Sequence, residues 1–403
     1  MKDMSKKRIV ATTGASTVAE AMRQINPDVV VAYPITPQTA IMENFSQFVA
    51  NGIVNAEYVT VESEHSSMSA CIGSSAAGAR VMTATSSQGL ALMHEMLYIA
   101  SGMRLPIVMP NVNRALSAPI NIHCDHSDSM GARDAGWIQI YSENAQEAYD
   151  NTLQAIRIAE DKRVMLPVMV NLDGFIISHG IEKVEFLEDE KVKNFVGERE
   201  PLLPLLDVNN PVTYGPFDGL GGFFMEHKKN QADAMERSRE VILEVADEFA
   251  KISGRKYGFF EEYMLDDAEV AIVTLNSSAG TTKYVVDELR AKGLPVGLLK
   301  LRAFRPFPAK ELAEALKHLK AVAVLDRAIS PGFTGPLFGE IKSALFDLEK
   351  RPRLINFIYG LGGRDYTLHE ASKAFETLMD VAKTGKAKKT MDYLGLKEVE
   401  VLA

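Results

Sequence analysis

Along the first half of the chain, short β-branched runs alternate with segments whose apolar residues recur every three or four positions. Residues 28–33 are β-branched and stop at Pro34, which predicts a buried strand. Residues 39–49 place Ile41, Phe45, Phe48 and Val49 on one helical face. The same reading gives strands at 58–61, 80–85, 106–110, 137–141 and 164–170. Helices are predicted between them at about 64–77, 89–103 and 145–161. Such alternation implies a parallel sheet covered on both faces. Ligands of these sheets bind beyond the carboxyl ends of the strands, so the strand-to-helix loops are the places to look.

The pattern breaks between residues 181 and 256. Residues 184–200 are rich in charge, Pro201, Pro204 and Pro211 mark turns, and residues 215–222 hold four glycines. A long helix is expected at about 230–253. A second alternation begins at Glu269, with strands at 270–274, 296–301, 321–325 and 354–358. Its helices span 279–292, with Gly293 as the stop, and 308–319, with Pro308 in the first turn. The expected organisation is a doubly wound α/β domain over 1–180, an excursion and bridging helix over 181–260, a second α/β domain over 261–383 and an extension over 384–403. No solenoid-type repeat is present.

Composition narrows the function. At 403 residues the chain is long enough for two or three cores. A net charge of -9 argues against a general nucleic-acid surface. Cys71 and Cys124 are the only cysteines, too few for a disulfide framework or for the four thiolates of an iron–sulfur cluster. Any clusters would sit on another chain. The basic start Met1–Arg8 leads into only Ile9-Val10-Ala11, too short for a signal-peptide core. No run reaches the roughly 18 apolar residues of a membrane helix. The expected compartment is the cytoplasm.

Four loops carry candidate chemistry. Tyr33-Pro34-Ile35-Thr36-Pro37 is stiffened by two prolines and presents the Thr36 hydroxyl. A plain turn with Thr36 capping the next helix would explain it as well. Glu62 and Glu64 precede a helix, where the dipole alone favours carboxylates. Thr85-Ser86-Ser87-Gln88-Gly89 resembles an anion- or ring-edge-binding turn. Arg114 lies in a loop with little other charge and could grip a carboxylate with its fork, or simply reach solvent. Together the loops place a hydroxyl, a carboxylate, small hydroxyls and a guanidinium on one rim, fitting a small anionic substrate beside an organic cofactor. No spacing of His65 or His126 supports a metal site.

At these loops the sequence resembles the 2-oxoacid:ferredoxin oxidoreductase family, close to its pyruvate branch. The matching elements are Tyr33-Pro34-Ile35-Thr36-Pro37, Ser63-Glu64-His65, the stretch from Thr83 to Gly89, the stretch from Arg114 to Pro119, and Asp125-His126-Ser127-Asp128. Arg305-Pro306-Phe307-Pro308, Val324-Leu325-Asp326-Arg327 and the stretch from Gly360 to Asp365 extend the likeness to about residues 10–370. The resemblance implies a thiamine-pyrimidine-binding domain followed by a transketolase C-terminal-like domain, as the α subunit of a multi-subunit enzyme. Partner chains of β, γ and δ type would hold the diphosphate, Mg2+ and the [4Fe-4S] clusters, since no diphosphate signature is present here. It implies oxidative decarboxylation of pyruvate, or the reverse synthesis, with coenzyme A taking the acyl group and ferredoxin the electrons.

On this resemblance Glu64 hydrogen-bonds the aminopyrimidine ring of thiamine diphosphate, with Ser87, Gln88 and Gly89 beside it. Thr36 and Arg114 bind the substrate carboxylate and carbonyl, and Tyr33, Ile35 and Ile122 shape the pocket around a methyl group. Gln38 and the pair His123-Cys124 depart from the family pattern and leave the substrate open. Another 2-oxoacid, such as 2-oxoisovalerate, 2-oxoglutarate or oxalate, is the next reading. A dicarboxylate would want a second cation, for which Arg133 is the nearest candidate. A reading of another class is a non-catalytic scaffold that docks the iron–sulfur subunits.

Overall fold

A computed structural model describes residues 8–215 and 217–397. Residues 1–7, the start of the basic N-terminal run, and 398–403, the end of the expected extension, lie outside the described residues. Seven strands form the first sheet, in the order Ala303–Arg305, Ile138–Tyr141, Val168–Asp173, Val108–Asn113, Val81–Met82, Val29–Ala32 and Glu57–Thr60. All pairings are parallel except that of Ala303–Arg305 with Ile138–Tyr141. The central strands are buried along their whole length, as a sheet covered on both faces requires, and they bury Asn111, Gln139 and Asn171 along with their apolar residues.

The period of two sorts these side chains between two layers. Val108, Val168 and Val170 join the cluster under the helices Gly14–Ile25, Thr39–Ala50 and Ala145–Glu160. Met109 and Met169 join Met68, Leu90, Leu97 and Trp137 under Glu64–Ala76, Ser87–Leu92 and His94–Gly102 on the other face. Full burial of each such side chain contributes about 1.5–3 kcal/mol. The predicted helix at 89–103 is two helices, separated at Met93.

The sequence pattern left residues 8–25 unassigned. They form the strand Arg8–Thr13 and the helix Gly14–Ile25, capped by the Thr13 hydroxyl accepting the Ser16 N–H at 3.2 Å. The strand pairs antiparallel with Ile181–Phe186, so residue 181 opens a strand and not an excursion. The long helix runs from Phe224 to Ser253 and ends at Gly254 in the left-handed region. Its buried stripe (Ala234, Ser238, Val241, Ile242, Val245, Phe249) packs beneath the first domain.

The second sheet has the order Met391–Tyr393, Arg353–Ile358, Ala321–Asp326, Val270–Thr274, Val296–Leu301 and Phe260–Tyr263. Only the last strand is antiparallel. Met391–Tyr393 corrects the expectation of a plain surface extension after residue 383: it is an edge strand paired with Asn356, Phe357 and Ile358. Three residues with one Tyr and one Met carry too little periodicity to announce a strand. Lys300, near the end of the strand Val296–Leu301, reaches Glu143 of the first domain at 2.8 Å. No helix among the described residues is long and apolar enough to cross a membrane.

Candidate active site

The loop after Val29–Ala32 carries Tyr33 and Ile35, both half-buried, and an exposed Thr36. Thr36 is not a cap: the helix Thr39–Ala50 starts from Gln38, without any side-chain capping bond. Arg114, at the end of Val108–Asn113, crosses to this loop. Its Nη1 donates to the Thr36 main-chain oxygen at 2.9 Å, and its Nε to the Asn121 oxygen at 3.3 Å. Nη2 has no partner among the described residues, so one edge of the guanidinium remains for an anion. Ile122 follows Asn121 on the same loop and is 41% exposed.

Glu64 is the first residue of the helix Glu64–Ala76, which Ser63 caps by accepting the Ser66 N–H. The two acidic residues of this loop then part. Glu62 is exposed and takes the Ser66 hydroxyl, whereas Glu64 is buried and its carboxylate has no partner among the described residues. It lies against Gly89, where an added Cβ would meet Glu64 Oε1 at 2.8 Å and Thr85 Oγ1 at 2.5 Å. Only glycine lets the backbone come so close to both. The hydroxyls of Thr85 and Ser86 are also buried without partners among the described residues. Unpaired hydroxyls buried beside this carboxylate, which keeps some contact with solvent, are costly unless a ligand completes the set. This donor set fits the polar edge of a nitrogen heterocycle, as in the pyrimidine half of thiamine diphosphate.

Ser87 sits in the left-handed region at φ +47. Its hydroxyl lies 2.6 Å from both Ala115 O and Gln88 Oε1, and Gln88 Nε2 donates to Ser117 Oγ at 2.7 Å. The third and fourth loops are thereby tied together. Asp128, to which the sequence alone assigns no role, lies beneath both. Its carboxylate accepts the main-chain N–H of Ser87 at 3.0 Å and of Arg114 at 3.1 Å.

The turn after Val168–Asp173 completes the rim, and sequence reasoning missed it. A Cβ on Gly174 would meet Asn113 O at 2.4 Å and Pro37 Cγ at 2.9 Å, so this turn packs between the Thr36 and Arg114 loops. Asp173 is wholly buried. It takes hydrogen bonds from Asn276 at 3.0 Å and from Arg327 at 2.7 Å, and faces His126 at 2.7 Å. Burial alone would raise its pKa, but Arg327 and His126 hold it well below the usual carboxylate range. The only hint in the sequence was an aspartate ending an apolar strand.

The two departures in the sequence fall in different places. Gln38 is buried, with Oε1 accepting the Ile35 N–H at 3.3 Å and Nε2 unpartnered. Cys124 instead belongs to the Asp173 cluster, donating to Oδ1 at 3.2 Å, and the His123 ring lies 5.1 Å from that of Phe175. Cys124, His126 and Asp173 lie close enough to bind a metal, yet Arg327 already supplies the cation. Arg133 donates to Met130 O at 2.8 Å and lines a cleft of about 430 Å³ with Trp137 and Gln231.

Comparison with known proteins follows the division between the two sheets. The profile of the pyruvate flavodoxin/ferredoxin oxidoreductase thiamine-diphosphate-binding domain matches residues 20–247. That of pyruvate:ferredoxin oxidoreductase core domain II matches residues 268–371. Pyruvate synthase subunit PorA of Thermotoga maritima is 58% identical, over 96% of this chain and 98% of its own. Its namesake from Methanocaldococcus jannaschii is 50% identical over 99% and 100%. Ketoisovalerate oxidoreductase subunit VorA of Pyrococcus horikoshii is 44% identical over 97% and 98%.

Among solved structures, a 2-oxoglutarate:ferredoxin oxidoreductase from Magnetococcus marinus matches in fold, with a TM-score of 0.71 at 21% identity. The match covers 92% of this chain and 65% of that one, so this chain spans under two thirds of it. A split-gene transketolase matches at a TM-score of 0.52 and 12% identity, over 93% and 97%. With both profiles in order and relatives at this identity over nearly full length, the chain belongs to the pyruvate flavodoxin/ferredoxin oxidoreductase family.

Proposed function

We propose that the chain is the α-type subunit of a thiamine-diphosphate-dependent pyruvate:ferredoxin oxidoreductase. The observation that carries this reading is the unpartnered, buried Glu64 carboxylate set against Gly89, on the same rim as Arg114. Bound thiamine diphosphate supplies the nucleophilic carbon and the electron sink for decarboxylating a 2-oxoacid. Glu64 holds a proton at the pyrimidine ring nitrogen and so favours the tautomer whose exocyclic nitrogen is a base. Thr85, Ser86, Ser87, Gln88 and Gly89 line that ring edge. Arg114 orients the substrate carboxylate through its free edge, and Thr36 donates its hydroxyl to the same substrate. Tyr33, Ile35 and Ile122 close on a small alkyl group.

Pyruvate is favoured over a dicarboxylate because Arg133, the candidate for a second cation, is turned into another cleft. The relatives named pyruvate synthase, at 50–58% identity, point the same way. With only two cysteines in this chain, the [4Fe-4S] clusters that would take up the electrons for ferredoxin would be held by β-, γ- and δ-type partner subunits. Those partners also hold the diphosphate with Mg2+, and coenzyme A takes the acyl group. Both cysteines are free and buried, in keeping with the cytoplasm.

The test is reduction of ferredoxin or a viologen dye by the co-purified complex, dependent on coenzyme A, with pyruvate, 2-oxoisovalerate, 2-oxoglutarate and oxalate side by side. Clear preference for pyruvate is expected. Preference for another acid would move the explanation to the Gln38 loop. Activity with none would leave a scaffold that docks iron–sulfur subunits.

A further inference from the structure

We propose that Asp128 is a positioning residue that holds the cofactor-facing loop and the substrate-facing loop in register. The inference rests on the activity proposed above, and it concerns a side chain that touches neither ligand. Asp128 Oδ2 accepts the main-chain N–H of Ser87 at 3.0 Å and of Arg114 at 3.1 Å, with Asn111 Nδ2 at 3.4 Å. Oδ1 accepts Asn113 Nδ2 at 2.8 Å and the Ser129 N–H at 2.7 Å. Every hydrogen-bond partner of Asp128 among the described residues is a donor, so only an ionised carboxylate satisfies the site. An amide would turn its NH2 against donors whichever way it lay.

What the two clamped residues lead to gives the carboxylate its function. Ser87 stands at φ +47, where a non-glycine residue persists only if its surroundings hold it. Two residues later comes Gly89, against Glu64. The other clamped N–H belongs to Arg114 itself. One oxygen atom therefore sets the distance between the ring-edge half of the site and the anion half, and reacting groups depend steeply on such placement.

Burial raises the Asp128 pKa to about 6, against the hydrogen bonds from Asn113, Ser87 and Arg114 that lower it. The ionisable groups facing it are Arg114 and, through Ser129, the Tyr141 hydroxyl, while His126 turns away to Asp173. Above about pH 6 the carboxylate is ionised and accepts all these bonds. Below it, protonation removes an acceptor and both loops loosen together.

The test uses the assembled complex carrying Asp128→Asn, with thiamine diphosphate binding measured on the cofactor-stripped form and pyruvate KM and kcat on the loaded form. Asp326→Asn serves as control, since Asp326 is an equally buried carboxylate that accepts the N–H groups of Leu337 and Phe338 in the second domain. The cofactor Kd and the pyruvate KM should each rise about 10-fold or more in Asp128→Asn, while Asp326→Asn lowers the melting temperature and leaves both constants unchanged. Constants within twofold of wild type in an assembled Asp128→Asn complex overturn the proposal, as do equal changes in the two variants. If Asp128→Asn does not assemble, the wild-type profile decides. Cofactor Kd and pyruvate KM rising together below about pH 6 support the proposal, and flat constants from about pH 5 to 8 overturn it. A wild-type complex that oxidises no 2-oxoacid yet shows the shift in cofactor binding would refute the proposed activity alone.

Discussion

The Asp173 carboxylate and the Arg327 guanidinium meet at 2.7 Å, both side chains almost fully buried, at the strand ends of the two sheets. Removing one partner of a buried pair leaves an uncompensated charge and costs about 3–5 kcal/mol. Arg327→Met should therefore destabilise the chain by about that amount, seen as a large fall in melting temperature of the complex. Because Asp173 is held below its unfolded pKa, the pair's contribution is fully present above the normal aspartate value of about 3.9 and is lost as pH falls below it. An Arg327→Met complex that melts like wild type at neutral pH would show that the pair does not join the two sheets.

Gly89→Ala tests the close approach at the ring edge. The new Cβ would meet Thr85 Oγ1 at 2.5 Å and Glu64 Oε1 at 2.8 Å. Overpacking of this kind costs about 1–3 kcal/mol. Because the strained neighbours include the carboxylate, thiamine diphosphate should bind about 10- to 100-fold more weakly, at about 1.4 kcal/mol per decade. Unchanged affinity would mean that Glu64 does not face the cofactor.

Much of this site was legible in sequence because it sits where strand-to-helix loops must sit. Thr36, Glu64, Ser87 and Arg114 all lie at the ends of neighbouring parallel strands or at the helix starts that follow them. What sequence could not supply was depth. Glu62 and Glu64 look alike two positions apart, and only packing against Gly89 distinguishes the buried one. Apart from Ser129, the partners given for Asp128 and Asp173 lie 14 to 154 positions away, a separation no local pattern records. The strands Arg8–Thr13, Ile181–Phe186 and Met391–Tyr393 were missed for a related reason: each is defined by its pairing partner more than by its own apolar content.

Arg114→Lys separates anchoring from simple charge. Lysine keeps the cation but cannot hold the Thr36 and Asn121 oxygens while offering a second edge to an anion. The pyruvate KM should rise roughly 10-fold or more, with a smaller change in kcat. An unchanged KM for every 2-oxoacid tried would remove Arg114 from the substrate site.

The most direct measurement of the central claim is the turnover of the complex carrying Glu64→Gln, with thiamine diphosphate saturating and pyruvate as substrate. Glutamine keeps the shape but cannot hold the proton relationship with the pyrimidine ring, and general acid–base contributions are typically about 10²–10⁴-fold. A fall in kcat of at least that order, in a complex that assembles and melts normally, is the predicted result. Turnover near that of wild type would contradict the account, and with it the assignment of this rim as the cofactor site.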